Sequence, residues 1–217
     1  MDASRGQCLW RDRRHAGALL GRRLAPHVHH HQDTTVVGLP RGGLEVAAEL
    51  ASVLQLPLSC WSVQRLTLPG QEGEPLGAIA PGNIHILDEA RLRQLGLHGE
   101  EQRQWLRLHE ERMRQEQLRF GDPAPGELSH RRLILVDEGI RSGMTMAAAL
   151  RSLRALYPTT ITVAVPVGRR LALDGLRQLA DHVLALQAVE QLPRLTDWFA
   201  ALPALEEGEV IALLGAA

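Results

Sequence analysis

Cysteine is almost absent: Cys8 and Cys60 are the two in 217 residues. Two isolated thiols make neither a disulfide framework nor paired zinc-ligand spacing, so a reducing cytoplasm is the expected setting. Long apolar runs are also lacking. None approaches the roughly 20 residues of a membrane-spanning helix, and the first thirty residues hold no uninterrupted signal-peptide core. A soluble chain with no membrane partner is therefore expected. Neither sign of charge dominates, with 24 Lys plus Arg against 25 Asp plus Glu and a formal net charge of -1, so there is no global pull toward nucleic acid. Aromatic residues make up 3% of the chain. Trp10, Trp61, Trp105 and Trp198 are scattered without interleaved basic runs, which speaks for core or rim packing and against a base-stacking platform. The Gly-x-x-x-x-Gly-Lys loop of nucleotide triphosphatases and the Gly-x-Gly-x-x-Gly of dinucleotide folds are both missing. Ser142 is off the Gly-x-Ser-x-Gly spacing of a hydrolase nucleophile.

What is present alternates. Residues 34–39, 58–63, 132–136 and 160–165 are short apolar runs bounded by turns or charges, with a weaker run at 182–186, and they read as buried strands. Helical patterns at 44–55, 144–156 and 169–179 separate most of them, and residues 12–25 add an N-terminal helix with Asp12 as N-cap and Pro26 as stop. The expected fold is α/β, a doubly wound, mainly parallel sheet flanked by helices. The length fits a single domain over residues 1–217. Residues 65–83, rich in Gly and Pro, read as a long irregular loop and candidate lid. Residues 99–120 read as a largely solvated helix with a packed stripe at Trp105, Leu108 and Met113, or an oligomer contact. Residues 122–126 read as a linker. The cluster His27, His29, His30 and His31 lacks a Cys or carboxylate at ligand spacing and reads as a solvated loop.

The chemistry concentrates in Leu133-Ile134-Leu135-Val136-Asp137-Glu138-Gly139-Ile140-Arg141-Ser142-Gly143-Met144-Thr145. An apolar strand ends in two acids and turns through glycines into a helix. Gly139 and Gly143 allow close backbone approach, while Ser142, Thr145 and the helix N-terminus offer hydroxyls, amides and a favourable dipole to a phosphate. Asp137 and Glu138 would repel that phosphate, so they suit neutral hydroxyls beside it. A ribose phosphate satisfies both halves. After the first strand, Arg41-Gly42-Gly43 can present charge and amides to a second oxyanion, although such a glycine pair also serves to start a helix close to a sheet.

In order, spacing and strand-to-helix context, residues 133–145 resemble the signature of the type I phosphoribosyltransferases, and the resemblance spans about residues 12–189. It feels nearest to bacterial members of unassigned substrate. The resemblance implies a core at about 12–189, a flexible catalytic loop at 65–83, and a small hood with C-terminal helix at about 187–217, Trp198 and Phe199 included. It implies that Asp137 and Glu138 hold the ribose hydroxyls of phosphoribosyl pyrophosphate and that Gly139, Ile140, Arg141, Ser142, Gly143, Met144 and Thr145 wrap its 5-phosphate. Arg41, Gly42 and Gly43 would bind pyrophosphate, with Arg65 meeting it as it departs. Arg41, Arg65, Asp137 and Glu138 are the catalytic candidates. Mg²⁺ would be held through substrate oxygens and water rather than by direct protein ligands. The expected partners are phosphoribosyl pyrophosphate and a small-molecule acceptor, without nucleic acid, in a homodimer. Arg141 stands where enzymes of this family acting on hypoxanthine or guanine carry an acid, which argues against a 6-oxopurine and for an anionic acceptor. Ser142 replaces a frequent Thr and keeps the hydroxyl. A noncatalytic sensor of phosphoribosyl pyrophosphate or a nucleotide is the alternative.

Overall fold

The computed structural model describes residues 8–68 and 75–215. In chain order, α1 (Arg13–Leu24) is followed by β1 (Thr34–Gly38), α2 (Gly42–Leu54), β2 (Leu58–Cys60), β3 (Gln64–Leu66), β4 (Gly77–Ala80) and β5 (Ile84–Leu87). Next come α3 (Glu89–Gln94), α4 (Gly99–Phe120), the single turn α5 (Pro125–Leu128), β6 (Arg132–Val136) and α6 (Met144–Arg154). β7 (Thr160–Arg169), α7 (Arg170–Leu176), β8 (His182–Val189) and α8 (Glu207–Gly215) complete the order. Asp12 caps α1 as its spacing predicts, its carboxylate accepting the His15 N–H at 2.7 Å.

β2, β1, β6, β7 and β8 lie side by side in that order, every pair parallel. Successive side chains on a strand point to opposite faces, and both faces here are covered. Val37, Leu135 and Val163 pack toward Met146, Leu150 and Leu153 of α6. Their neighbours Val36, Ile134 and Ala164 pack toward Leu20 of α1 and Leu50 and Leu54 of α2. This is the doubly wound arrangement expected. From β1 the chain winds outward to β2, and from β6 it winds the other way through β7 to β8, so the direction switches between β1 and β6. Ligands of open α/β sheets bind at such a switch, beyond the carboxyl ends of the strands.

Three stretches differ from their sequence patterns. The strand expected at 58–63 ends at Cys60, where the chain leaves the main sheet, and beyond residues 61–63 β3 joins β4 and β5 in a separate antiparallel sheet. The stretch 65–83 therefore contains strand rather than irregular loop at Leu66 and at 77–80, where Leu66, Ala78, Ile79 and Ala80 are buried. Residues 69–74, the centre of the expected lid, lie outside the described residues. Strand β7 runs on past Pro166 to Arg169 by pairing with β8 after its pairing with β6 ends at Ala164. On α4 the buried residues are His109, Met113 and Phe120, while Leu108 is exposed. Asp122, in the expected linker, is fixed by the Ser62 N–H and hydroxyl at 2.7 and 2.8 Å. Among the described residues no helix is long and apolar enough to cross a membrane.

Candidate active site

The two loops singled out by sequence start next to each other. Gly38 is in register with Val136, and the Leu39 N–H continues the ladder onto the Val136 carbonyl at 3.0 Å. Arg41 therefore emerges beside Asp137 and Glu138 at the switch point. A cleft of about 890 Å³ opens there. It gathers Arg41 and Gly42 from the first loop, Arg65 from β3, the acid pair, and most of the 139–145 loop. Gly43 and Met144, also expected at the site, do not line it.

The glycine pair is explained by packing. A Cβ on Gly43 would come within 2.8 Å of Asp137 Oδ1, and one on Gly42 would collide with the Glu138 carboxylate. Helix α2 can begin against the acids only because neither residue carries a side chain. The 139–145 loop is tied down at its start. Ile140 donates its N–H to the Val167 carbonyl at 2.9 Å and accepts the Arg169 N–H at 2.8 Å, with its side chain in the core. At its end Gly143 has φ 84 and forms the N-cap of α6. An alanine there must adopt a left-handed backbone, so Gly143→Ala should cost about 1–2 kcal/mol of stability in denaturant titration.

Electrostatics set the acids apart. Burial first, and the neighbouring Glu138 second, push the Asp137 carboxyl up to about 7, against the opposing pull of the Glu138 N–H and the guanidinium groups of Arg65 and Arg13. Asp137 thus titrates near neutrality. The Glu138 N–H donates to Asp137 Oδ1 at 2.8 Å. Glu138 is held by Arg13, whose Nε donates to its Oε2 at 2.7 Å. Arg41 is paired with Glu116 of α4 at 3.3 Å.

Several cleft residues were not visible in the sequence. Arg13 is one of several basic positions in the helical pattern at 12–25, and Glu116 one of many charges on a largely solvated helix. Arg169 sat beyond the expected end of its strand. The parallel bridge between Ile140 and Gly168 puts Arg169 and Arg141 on adjacent positions at the rim. Residues 190–193 and Leu195 line the cleft from the C-terminal side. Trp198 and Phe199, expected within the hood, pack on Trp10, with ring centroids 6.1 and 5.2 Å away. They brace the hood from behind. The four histidines at 27–31 are exposed, and none of them lines the cleft.

Comparison with known proteins supplies the family. Relatives in two strains of Mycobacterium tuberculosis, provisionally named phosphoribosyl transferases, are each 31% identical over 212 residues, covering 95% of this chain and 46% of their own length. The chain thus spans about half the length of these relatives. The crystal structure of TT1426 from Thermus thermophilus is 32% identical with a TM-score of 0.71, over 94% of this chain and 97% of that one. AQ2163 from Aquifex aeolicus, 12% identical with a TM-score of 0.55 over 87% and 86% of the two chains, shares the fold. The profile of the family described as the phosphoribosyl transferase domain matches residues 13–191, from the first residue of α1 to just past β8, and to that family the chain belongs.

Proposed function

We infer that the protein transfers ribose 5-phosphate from phosphoribosyl pyrophosphate to a nitrogen nucleophile and releases pyrophosphate. The observation carrying this reading is the convergence, in one cleft at the sheet's switch point, of an acid pair, the glycine-bounded loop at 139–145 and the arginines Arg41 and Arg65. The amides and hydroxyls of residues 139–145 take the 5-phosphate. Asp137 and Glu138 accept hydrogen bonds from the ribose hydroxyls. As the bond to pyrophosphate breaks, the ring carbon gains positive and the leaving oxygens negative character. Arg41 and Arg65 stabilise the latter, and positioning supplies much of the remaining acceleration. A Mg²⁺ arriving on the pyrophosphate would offset its charge through substrate oxygens and water.

Incubation with phosphoribosyl pyrophosphate, Mg²⁺ and a panel of purine, pyrimidine and pyridine acceptors, followed by mass spectrometry, tests the reading. Acceptor-dependent nucleotide formation is expected. Tight binding without turnover on any acceptor would favour the sensor instead.

The acceptor is read as anionic, because Arg141 and Arg169 occupy neighbouring rim positions where a carboxylate or phosphate could bridge two guanidinium groups. Arg169→Ala should raise the acceptor KM about tenfold while leaving that for phosphoribosyl pyrophosphate nearly unchanged. Equal KM values for neutral and anionic acceptors would remove this part of the reading. A homodimer in a reducing cytoplasm is the expected working form, and light scattering reads the first directly.

A further inference from the structure

Arg13 is 6% exposed, an unusual place for a guanidinium. Its Nε donates to Glu138 Oε2 at 2.7 Å, its Nη1 donates to the Pro203 carbonyl at 2.7 Å, and the same Nη1 lies 3.6 Å from Glu45 Oε2 of α2. Gly42 closes over this pair, since a Cβ there would lie 2.6 Å from Arg13 Nε. One side chain thus touches the acid loop, the pyrophosphate loop, α2 and the hood. The hood is stitched to the same N-terminal segment. Ala200 and Ala201 donate their N–H groups to the carbonyls of Trp10 and Arg11, both at 2.8 Å.

Burying an ion pair contributes little to stability compared with apolar side chains of similar volume. What an apolar side chain cannot do is fix the direction of a carboxylate. We propose that Arg13 is a positioning residue that aims the Glu138 carboxylate at the ribose hydroxyls and ties this aim to the seating of the hood. The inference rests on the ribose-binding reading above. The charges around the pair are Glu45, itself 3.4 Å from exposed Arg14, and Asp137, on which Arg65 also acts. Arg13 is also one of the charges that restrain the rise of the Asp137 carboxyl. Its loss drives Asp137 further up.

Calorimetry with Mg²⁺ and two probes, phosphoribosyl pyrophosphate and inorganic pyrophosphate, tests this. In Arg13→Gln the affinity for phosphoribosyl pyrophosphate should fall about tenfold or more, and that for pyrophosphate, which has no ribose, should stay within about twofold. The pH at which phosphoribosyl pyrophosphate binding is half-maximal should move upward in the same variant. Because Arg13 aims Glu138, the double variant Arg13→Gln/Glu138→Gln should bind no more weakly than Glu138→Gln alone at about pH 8.5, where Asp137 is ionised in both. The double variant also removes the Glu138 carboxylate that Arg13→Gln leaves without its guanidinium, so it tests the proposal even where Arg13→Gln fails to fold. Arg13→Lys, which keeps charge but cannot span both partners, should fall between wild type and Arg13→Gln. Unchanged binding of phosphoribosyl pyrophosphate in Arg13→Gln, equal losses for both probes, or additive losses in the double variant overturns the proposal. Wild-type protein that binds pyrophosphate but not phosphoribosyl pyrophosphate would instead overturn the ribose reading, and this inference with it.

Discussion

Asp137→Asn should weaken phosphoribosyl pyrophosphate binding about tenfold or more at pH 8 and, without ligand, raise the melting temperature. The two effects have one cause. Burial and Glu138 push the Asp137 carboxyl from its ordinary value of 3.8 up to about 7. Above that pH the folded protein carries an ionised carboxylate that the unfolded chain would tolerate more easily. As pH falls from 7 toward 3.8 the native state takes up the proton first, so this destabilisation is progressively relieved. The Asn side chain is neutral throughout, and its stability advantage should be largest above pH 7 and shrink below it. The full shift would correspond to about 4 kcal/mol, but the cleft admits water and Asn accepts the Glu138 N–H less well than a carboxylate does, so a gain of about 1–2 kcal/mol is expected. That amounts to a few degrees for a chain of this size. Ligand binding has the opposite sign. The ionised carboxylate is the better acceptor for ribose hydroxyls, so wild-type affinity should climb through neutrality while the Asn variant shows a flatter profile. Calorimetry from about pH 5.5 to about pH 8.5, paired with melting curves, checks both. A variant that loses both stability and binding would mean that Asp137 is structural.

The strand, acids, glycines and helix at 132–154 were legible because each step is local: an apolar run, a left-handed glycine and a helix start lie within a few residues of one another. Helix α4 matches its expected limits of 99 and 120, since Gly99 and Gly121, both with positive φ, bracket it. What sequence could not convey is which distant charges meet. Arg13 and Glu138 are 125 positions apart, Arg41 and Glu116 75. Nothing in either helix's periodicity separates a cleft charge from a solvated one. The small antiparallel sheet was hidden for a different reason. Its strands are three or four residues long and set among Gly and Pro, too short for an alternating pattern to emerge. Trp198 and Phe199 pack on Trp10 near the other end of the chain, and a sequence pattern cannot say which side of a segment faces the cleft.

Arg41 and Glu116 lead to the second large effect. The Arg41 guanidinium, 60% exposed, is held 3.3 Å from the better buried Glu116 carboxylate at the edge of the cleft. In the proposed reaction the same guanidinium must meet pyrophosphate oxygens whose charge grows as the glycosidic bond breaks. Arginine keeps its charge at any working pH and can engage two oxygens together, and its contribution should be greater in the transition state than in the bound substrate. Arg41→Ala should therefore lower kcat about one-hundredfold or more, with a smaller change in KM. Glu116 competes for the same cation and places a negative charge beside an incoming polyanion. Glu116→Gln should tighten pyrophosphate binding about two- to fivefold, an effect that added salt diminishes. Steady-state kinetics on Arg41→Ala and pyrophosphate titration of Glu116→Gln read the two halves separately. If Glu116→Gln weakened pyrophosphate binding, the contact would be aligning Arg41 for the ligand rather than withholding it. If kcat survived in Arg41→Ala, the leaving charge would rest on Arg65 and the loop amides, and the burden of the reaction would shift from the β1 loop to the small antiparallel sheet.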